Sequence, residues 1–411
     1  MLCLYSVRWG LVVILLIDCF KLVKGTGKSI GIYNLAKNLV DNLSGHDSSI
    51  RIVVLGNKYN REDFDIKGVE FVEVKYNPLS QVVCALWELV LVNKAIKRIN
   101  PDKVLFPRGY LPLRSISKNY VIIHDMIPFY YHKNFPGVLG KTNYYIMWRL
   151  KASARKAYRV ITVSEYAGSD IVKTAGLKDT NKVIPILSGL NKMDASGIKE
   201  GYYPEGQSQP YRPYISAIAS KLPHKNVLGV LKAYKAYLDV HTSGQENESI
   251  INQDKCSLED SNILGLHIIG LDNAGVDRLI QEEHIAFTTK ERSLIVGYKY
   301  IKRDEDMYAV IKGSQAFLFM SLNEGFGFPP LEAMQLGVPV VCSNRTSLPE
   351  VVGSAGILVN PDDYNAVAKA LVEMESPEVR DKYIKLGYEN IQRFRWDDRI
   401  QKYKEELINN N

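Results

Sequence analysis

Glu324 and Glu332 bracket a short run, Gly325, Phe326, Gly327 and Phe328. Residues 316–321 before it are apolar and read as a buried parallel strand. Pro329 and Pro330 fit the first turn of a helix, where a missing N–H costs nothing, and Gly337 caps its far end. Glycines let backbone approach a ligand closely, and free N–H groups at a helix start attract anions, so the loop suits phosphate. Carboxylates repel phosphate and accept hydrogen bonds from hydroxyls instead. Together the parts suit a nucleotide sugar, one glutamate binding sugar hydroxyls and the other the ribose. The plainer reading is a strand–turn–helix with solvated glutamates.

Three further positions carry chemistry. Lys225 follows an apolar strand, residues 214–220, and opens a helix. Its ammonium and the helix dipole would act together on a diphosphate. His124 ends the strand 120–124 and is followed by Asp125; strand ends are where ligands bind in open parallel sheets. His124 could hydrogen-bond a sugar hydroxyl or help polarise an acceptor, and Asp125 either orients it or caps the next turn. Lys24-Gly25-Thr26-Gly27-Lys28-Ser29 contains Gly-Lys-Ser but is not a P-loop, because Leu22 stands where the first glycine should be. It is a glycine loop between a strand and a helix, or a tight turn only.

The run Glu324-Gly325-Phe326-Gly327-Phe328-Pro329-Pro330-Leu331-Glu332-Ala333-Met334 resembles the Glu-(seven residues)-Glu motif of family-four glycosyltransferases. The likeness continues through Gly337-Val338-Pro339-Val340-Val341 and Ser347-Leu348-Pro349-Glu350-Val351-Val352-Gly353, and weaker similarity covers nearly the whole chain. It implies an α/β protein with two facing Rossmann-like domains, the GT-B fold, and a deep inter-domain cleft. It also implies retaining, metal-independent transfer from a nucleoside-diphosphate sugar. Catalytic roles would fall to His124, near the transferred sugar, and to Glu324. Donor contacts would come from Gly27, Ser220, Lys225, Gly325, Phe326, Gly327, Phe328 and Glu332. The chain departs from the family pattern at His224, where the family has Arg, and at Ser220, where many members have a second phosphate-binding Arg or a Thr. Leaving-group stabilisation therefore falls more heavily on Lys225.

The elements that must place these residues alternate. Strand-like runs at 11–20, 50–55, 69–74, 103–106, 120–124, 160–164 and 182–186 are separated by helical stretches such as 81–99. Residues 191–213, rich in Gly, Pro, Tyr and polar groups, read as a linker. Strands resume at 214–220, 266–270, 293–297, 316–321 and 356–359, with helices at about 363–375 and 377–393. The expected domains are thus 1–190 and 214–393, which by the resemblance would bind the acceptor and the donor respectively. Residues 394–411 form a helix that, by the resemblance, returns to the first domain. Residues 241–262 read as a polar inserted loop, and residues 1–10 have no clear assignment.

At 411 residues the chain has room for two or three domains. Cys3, Cys19, Cys84, Cys256 and Cys342 lack paired spacing, which implies neither a disulfide framework nor a zinc site and fits a reducing cytosol. The apolar stretch 11–20 is too short to span a bilayer and lacks a cleavage signal. Net charge is +7, with the excess mostly in the N-terminal half and no nucleic-acid motif beside it. The expected setting is the cytoplasm, at the inner face of the plasma membrane. There the helix 144–158, with Arg149, Lys151, Arg155 and Lys156 among apolar residues, could lie on anionic lipid, or be a solvated helix face. A lipid-linked glycan acceptor in surface polysaccharide assembly and a mannose donor, on family frequency, complete the expectation; UDP-linked hexoses stay open. No cofactor or metal is expected. Asp63-Phe64-Asp65 and Asp304-Glu305-Asp306 mimic an Asp-x-Asp metal motif and read as surface acids away from the site. A nucleotide-sugar epimerase of similar fold and a non-catalytic sugar-nucleotide-binding protein are the rival readings.

Overall fold

Apolar runs separated by helices build two parallel sheets in the computed structural model, which describes residues 12–24, 30–44, 49–198, 213–243, 263–299, 301 and 303–409. The first sheet contains β1 (Val13–Asp18), β2 (Ile50–Gly56), β3 (Val69–Glu73), β4 (Lys103–Phe106), β5 (Lys118–Ile123), β6 (Arg159–Thr162) and β7 (Val183–Pro185). Its spatial order is β3-β2-β1-β4-β5-β6-β7. The second contains β8 (Tyr214–Ile218), β9 (Gly265–Ile269), β10 (Ile295–Tyr298), β11 (Ala316–Phe319), β12 (Val340–Ser343) and β13 (Gly356–Val359), in the order β10-β9-β8-β11-β12-β13. Helices cover both faces of a sheet of this kind, so its strands are apolar throughout rather than alternating. Leu15, Leu16 and Ile17 on β1, and Phe317, Leu318 and Phe319 on β11, are fully buried in that way.

In each sheet the strand order reverses once, between β1 and β4 and between β8 and β11. Ligands of doubly wound sheets bind outside the carboxyl ends of the strands at that reversal. β12 is a strand that the sequence reading leaves unassigned.

Seven helices also escape the sequence reading: Arg61–Phe64, Ile127–Asn134, Glu165–Ala175, Asn273–Glu282, Thr289–Ser293, Asp304–Lys312 and Leu348–Val352. Three of them are started by side-chain caps rather than by a long apolar stripe. Ser164 accepts from the Ala167 amide, Asp272 from Gly275, and Thr288 forms a capping box with Glu291.

The chain divides into two compact units, Met1–Asn191 with Phe394–Asn411, and Lys192–Arg393. The C-terminal helix Trp396–Lys404 therefore belongs with the first unit. There Leu190 N–H donates to the Phe394 carbonyl at 2.7 Å, and Trp396 Nε1 donates to Asn191 Oδ1 at 3.2 Å. Lys103, buried at the start of β4, reaches the Glu406 and Ile408 carbonyls at 3.5 and 3.4 Å. A lysine is well placed there, because the last carbonyls of a helix have no partner within it. The linker region 191–213 starts at the unit boundary. Its described part, 192–198, is tied to the second unit by Lys312 Nζ, which donates to the Ala195 and Ile198 carbonyls at 3.0 Å each.

Candidate functional site

The reversal in the second sheet is tied across by four contacts. After β8 the chain forms a 3-10 turn, Pro223–Lys225, and then the helix Val227–Ser243. After β11 it forms the glycine loop and the helix Phe328–Gln335. The His224 carbonyl accepts from Leu322 N–H at 2.7 Å and from Ser321 Oγ at 2.9 Å. Asn226 Nδ2 donates to the Met320 carbonyl at 3.0 Å, while its Oδ1 accepts from Gly229 N–H in the first turn of the following helix. The fourth contact is charged: Lys225 Nζ meets Glu324 Oε1 at 2.7 Å. Two residue types expected to face one ligand thus meet directly at the strand ends.

The loop itself is held from behind. Ser347 Oγ donates to the Glu324 and Phe326 carbonyls at 3.0 and 2.6 Å, and Glu324 N–H donates to Thr346 Oγ1 at 3.1 Å. Gly327 adopts φ +111°, and a Cβ there would lie 2.6 Å from Leu348 Cδ2, so a side chain is excluded on both counts. Phe326 and Phe328 pack edge to face, with ring centroids 4.8 Å apart. Pro329 and Pro330 carry no N–H, so the donors this helix start can offer lie at residues 325–328.

Glu332 stands one turn into that helix. Burial lifts its carboxyl to about 7, the nearby Asp304 carboxylate adds to the rise, and a hydrogen bond from Tyr308 opposes it. Tyr308 and Asp304 belong to the helix Asp304–Lys312. Asp304 is exposed, as a surface acid should be, but it lies near enough for its charge to act on Glu332. Asp63, in the other acidic triplet, is likewise tied in: it accepts from Tyr33 Oη at 2.6 Å. Among the described residues, no group of three His, Cys, Asp or Glu side chains could hold a metal ion.

Ser220 follows β8, and its Oγ accepts from Leu222 N–H at 3.4 Å. Burial and the neighbouring Lys225 charge push His224 down to about 4, so at neutral pH it adds no cation beside Lys225. Gly27 lies outside the described residues.

His124 belongs to the first unit, at the end of β5. Its Nε2 lies 2.9 Å from the Pro107 carbonyl, which can only accept, so the proton is on Nε2 and Nδ1 presents a lone pair. Burial, assisted by the Arg108 charge, pushes its pKa to about 4 against the pull of that hydrogen bond. The ring is neutral at pH 7 and suited to accept from a hydroxyl.

Comparison with known proteins agrees with this geometry. Residues 255–376 match the family model for glycosyl transferases group 1. The chain is 28% identical over 307 residues to O-antigen chain mannosyltransferase B of Escherichia coli, covering 71% of this chain and 70% of that protein. It is 26% identical over 301 residues to O-antigen chain mannosyltransferase RfbU of Salmonella typhimurium, covering 73% and 72%. The chain is a glycosyltransferase that resembles the group 1 family and carries its matched segment at residues 255–376. A solved glycosyltransferase from Rickettsia africae shares the fold, with a TM-score of 0.61 over 97% of this chain and 99% of that one at 15% identity. The two parallel Rossmann-like sheets are GT-B-like. A nucleotide-sugar donor and a glycan acceptor follow from the family.

Sequence reasoning missed several residues around the transferase's glycine loop. Ser347 was part of the quoted likeness, but its grip on two loop carbonyls has no signature of its own. Tyr308 and Asp304 lie more than twenty positions from Glu332, on a helix that reads only as a charged stretch. The helix expected at 144–158 forms at Thr142–Lys156, with one correction. Arg149 is buried, donates to the Leu111 carbonyl at 2.8 Å and packs on Tyr110, so it is no surface base. Among the described residues, no helix is long and apolar enough to cross a membrane.

Proposed function

We propose that the transferase is a retaining, metal-independent hexosyltransferase that moves mannose from GDP-mannose to a lipid-linked glycan in surface polysaccharide assembly. The Lys225–Glu324 contact across the second sheet's reversal carries this reading. With donor bound, Lys225 turns to the diphosphate and Glu324 to the hydroxyls of the transferred sugar. Each is the other's placeholder until then. Glu332 holds the ribose, and the amides of 325–328 take up charge on the departing diphosphate. A well-placed donor of that kind contributes roughly 2.7–4 kcal/mol to the transition state. Mannose is supported by the names of the curated relatives, retention by the Glu-(seven residues)-Glu resemblance.

The lipid-linked acceptor draws support from surface asymmetry. Among the described residues, sixteen exposed large apolar side chains lie in the first unit and three in the second. Val82, Leu86 and Val90 recur every four residues along the helical stretch 81–99. The segment carrying Leu113 and Ile116 is pinned beside them by the Leu113 N–H to Leu89 carbonyl bond at 3.1 Å. Exposed Lys94, Lys97, Arg98 and Arg114 rim this patch, while Glu88, the one acid in 75–98, is buried. An apolar surface with a basic rim complements an anionic bilayer. Flotation with vesicles containing phosphatidylglycerol, lost in Leu86→Glu and in neutral vesicles, is the expected result; equal binding to neutral vesicles counts against it.

A thermal-shift screen against GDP-, UDP-, dTDP- and ADP-sugars tests the donor. The largest shift is expected from GDP-mannose. A larger shift from a UDP-hexose removes the donor assignment but leaves the site, and no shift from any removes the site as well.

A further inference from the structure

The first sheet has its own reversal, between β1 and β4, and the chain has equipped it. The turn after β1 is fixed from below by two fully buried asparagines. Asn57 Nδ2 donates to the Phe20 and Leu22 carbonyls at 2.7 and 3.0 Å, and Asn60 Nδ2 to those of Cys19 and Leu22 at 2.9 and 2.8 Å. That leaves Lys21 on a rigid turn. Its Nζ meets Glu88 Oε1 at 2.5 Å, and its carbonyl accepts from Arg108 Nη1 at 3.4 Å. Beside Glu88 on the same helical turn, Trp87 donates Nε1 to both oxygens of Asp18 at 3.1 Å, anchoring the turn to the end of β1. Arg108 follows β4 and acts on His124, while Tyr110 feels the charges of Glu88, Arg108, Asp125 and Arg149 together. Lys21, Glu88, Arg108, Tyr110, His124 and Asp125 thus gather at the carboxyl ends of β1, β4 and β5.

Two features distinguish this group from a structural ion pair. Arg108 Nε is buried without a hydrogen-bond partner, a state that costs roughly 1–3 kcal/mol and calls for an explanation. The group is also charge-balanced: Lys21 and Arg108 against Glu88 and Asp125. A bare phosphate gains little from such a ring and would meet Glu88 beside every lysine contact. A polyol gains from both halves, since a carboxylate accepts from hydroxyls while ammonium and guanidinium donate to them.

We propose that this ring is the acceptor subsite, and that it recognises the hydroxyls of a neutral sugar rather than a phosphate. Glu88 accepts from one hydroxyl, Lys21 donates to its neighbour, and Arg108 supplies the N–H that now has no partner. The inference rests on the transferase reading above and adds what the acceptor end must be.

The test compares acceptors on the full chain with its donor present. Methyl glycosides of mannose, galactose, glucose and N-acetylglucosamine are assayed, and the best is repeated as its monodeoxy forms. At least one deoxy form is expected to raise the acceptor KM tenfold or more on the unaltered protein. Lys21→Met combined with Glu88→Met removes both charges at once, which a folded chain tolerates better than one stranded charge. This variant is expected to keep its Tm and its donor-induced thermal shift while its acceptor KM rises at least tenfold. An acceptor KM within twofold in that variant overturns the proposal, as does indifference to every deoxy form. Preference for polyprenyl phosphate without a sugar overturns it too. If the unaltered chain neither shifts with nor transfers from any nucleotide sugar, the transferase reading falls and this inference falls with it.

Discussion

Both sheets reverse their strand order once, and the two reversals are furnished with different chemistry. At β8/β11 the backbone dominates: a glycine loop, a helix start with prolines at 329 and 330, and a single Lys225–Glu324 pair. At β1/β4 the side chains dominate: a ring of balanced charges around a turn pinned by Asn57 and Asn60. Amides and a lysine suit a pyrophosphate, whose oxygens only accept. Mixed donors and acceptors suit a sugar, whose hydroxyls do both. The same topology thus offers one reversal dominated by donors and one where donors and acceptors are mixed, the division that the proposed donor and acceptor sites require.

Neutralising one lysine in each place should separate them most sharply. Lys225→Met removes the cation nearest the departing diphosphate, and kcat is expected to fall by roughly 10²–10³. Lys21→Met should act on the acceptor KM and leave the donor-induced thermal shift alone. Glu324→Ala should abolish transfer with the fold intact, since partly exposed Lys225 can turn to solvent when its partner is gone. A double-mutant cycle on Lys225 and Glu324 should show effects far from additive, because each residue acts through the same bound sugar diphosphate. Equal losses of kcat from Lys225→Met and Lys21→Met would erase the distinction between the two reversals, and full activity in Glu324→Ala would refute the donor site.

The two places also differ in how far the sequence revealed them. Glu324 to Glu332 is one contiguous stretch, and strand, glycine loop and proline-started helix each leave a local mark. Lys225 could be read because it sits just past a strand. The other reversal draws Lys21, Glu88, Arg108 and Asp125 from four separate segments. Nothing local marks any of them, and pairing across 67 positions appears only once β1 and the helix beside it are packed. The nearness of exposed Asp304 to Glu332 was hidden for a related reason: it appears only once the helix that carries it is docked on its neighbour. Strands were legible from their apolar runs, except β12; three of the helices that escaped are begun by side-chain caps, and the others are nine residues or shorter.

A smaller effect, and a finer discrimination, comes from pH. Glu332 is lifted from an ordinary value of 4.5 to about 7, mainly by burial, then by Asp304, with the Tyr308 hydrogen bond pulling it down. Between those values the folded chain holds a proton that the unfolded chain has released, so stability should fall as pH rises from about 4.5 to 7 and level off above. Donor affinity should move the opposite way, because ribose hydroxyls donate best to the ionised carboxylate. Tyr308→Phe removes the one contact that lowers the value, and should carry both curves to higher pH; Asp304→Asn should carry them lower. His124 is held neutral down to about 4 and cannot produce an inflection near 7, so replacing it should leave the donor-binding inflection where it was. Tm and donor Kd measured from pH 5 to 8.5 on these variants read the result. An inflection that ignores Tyr308→Phe but shifts with His124→Gln would transfer the titrating group from the second unit to the first.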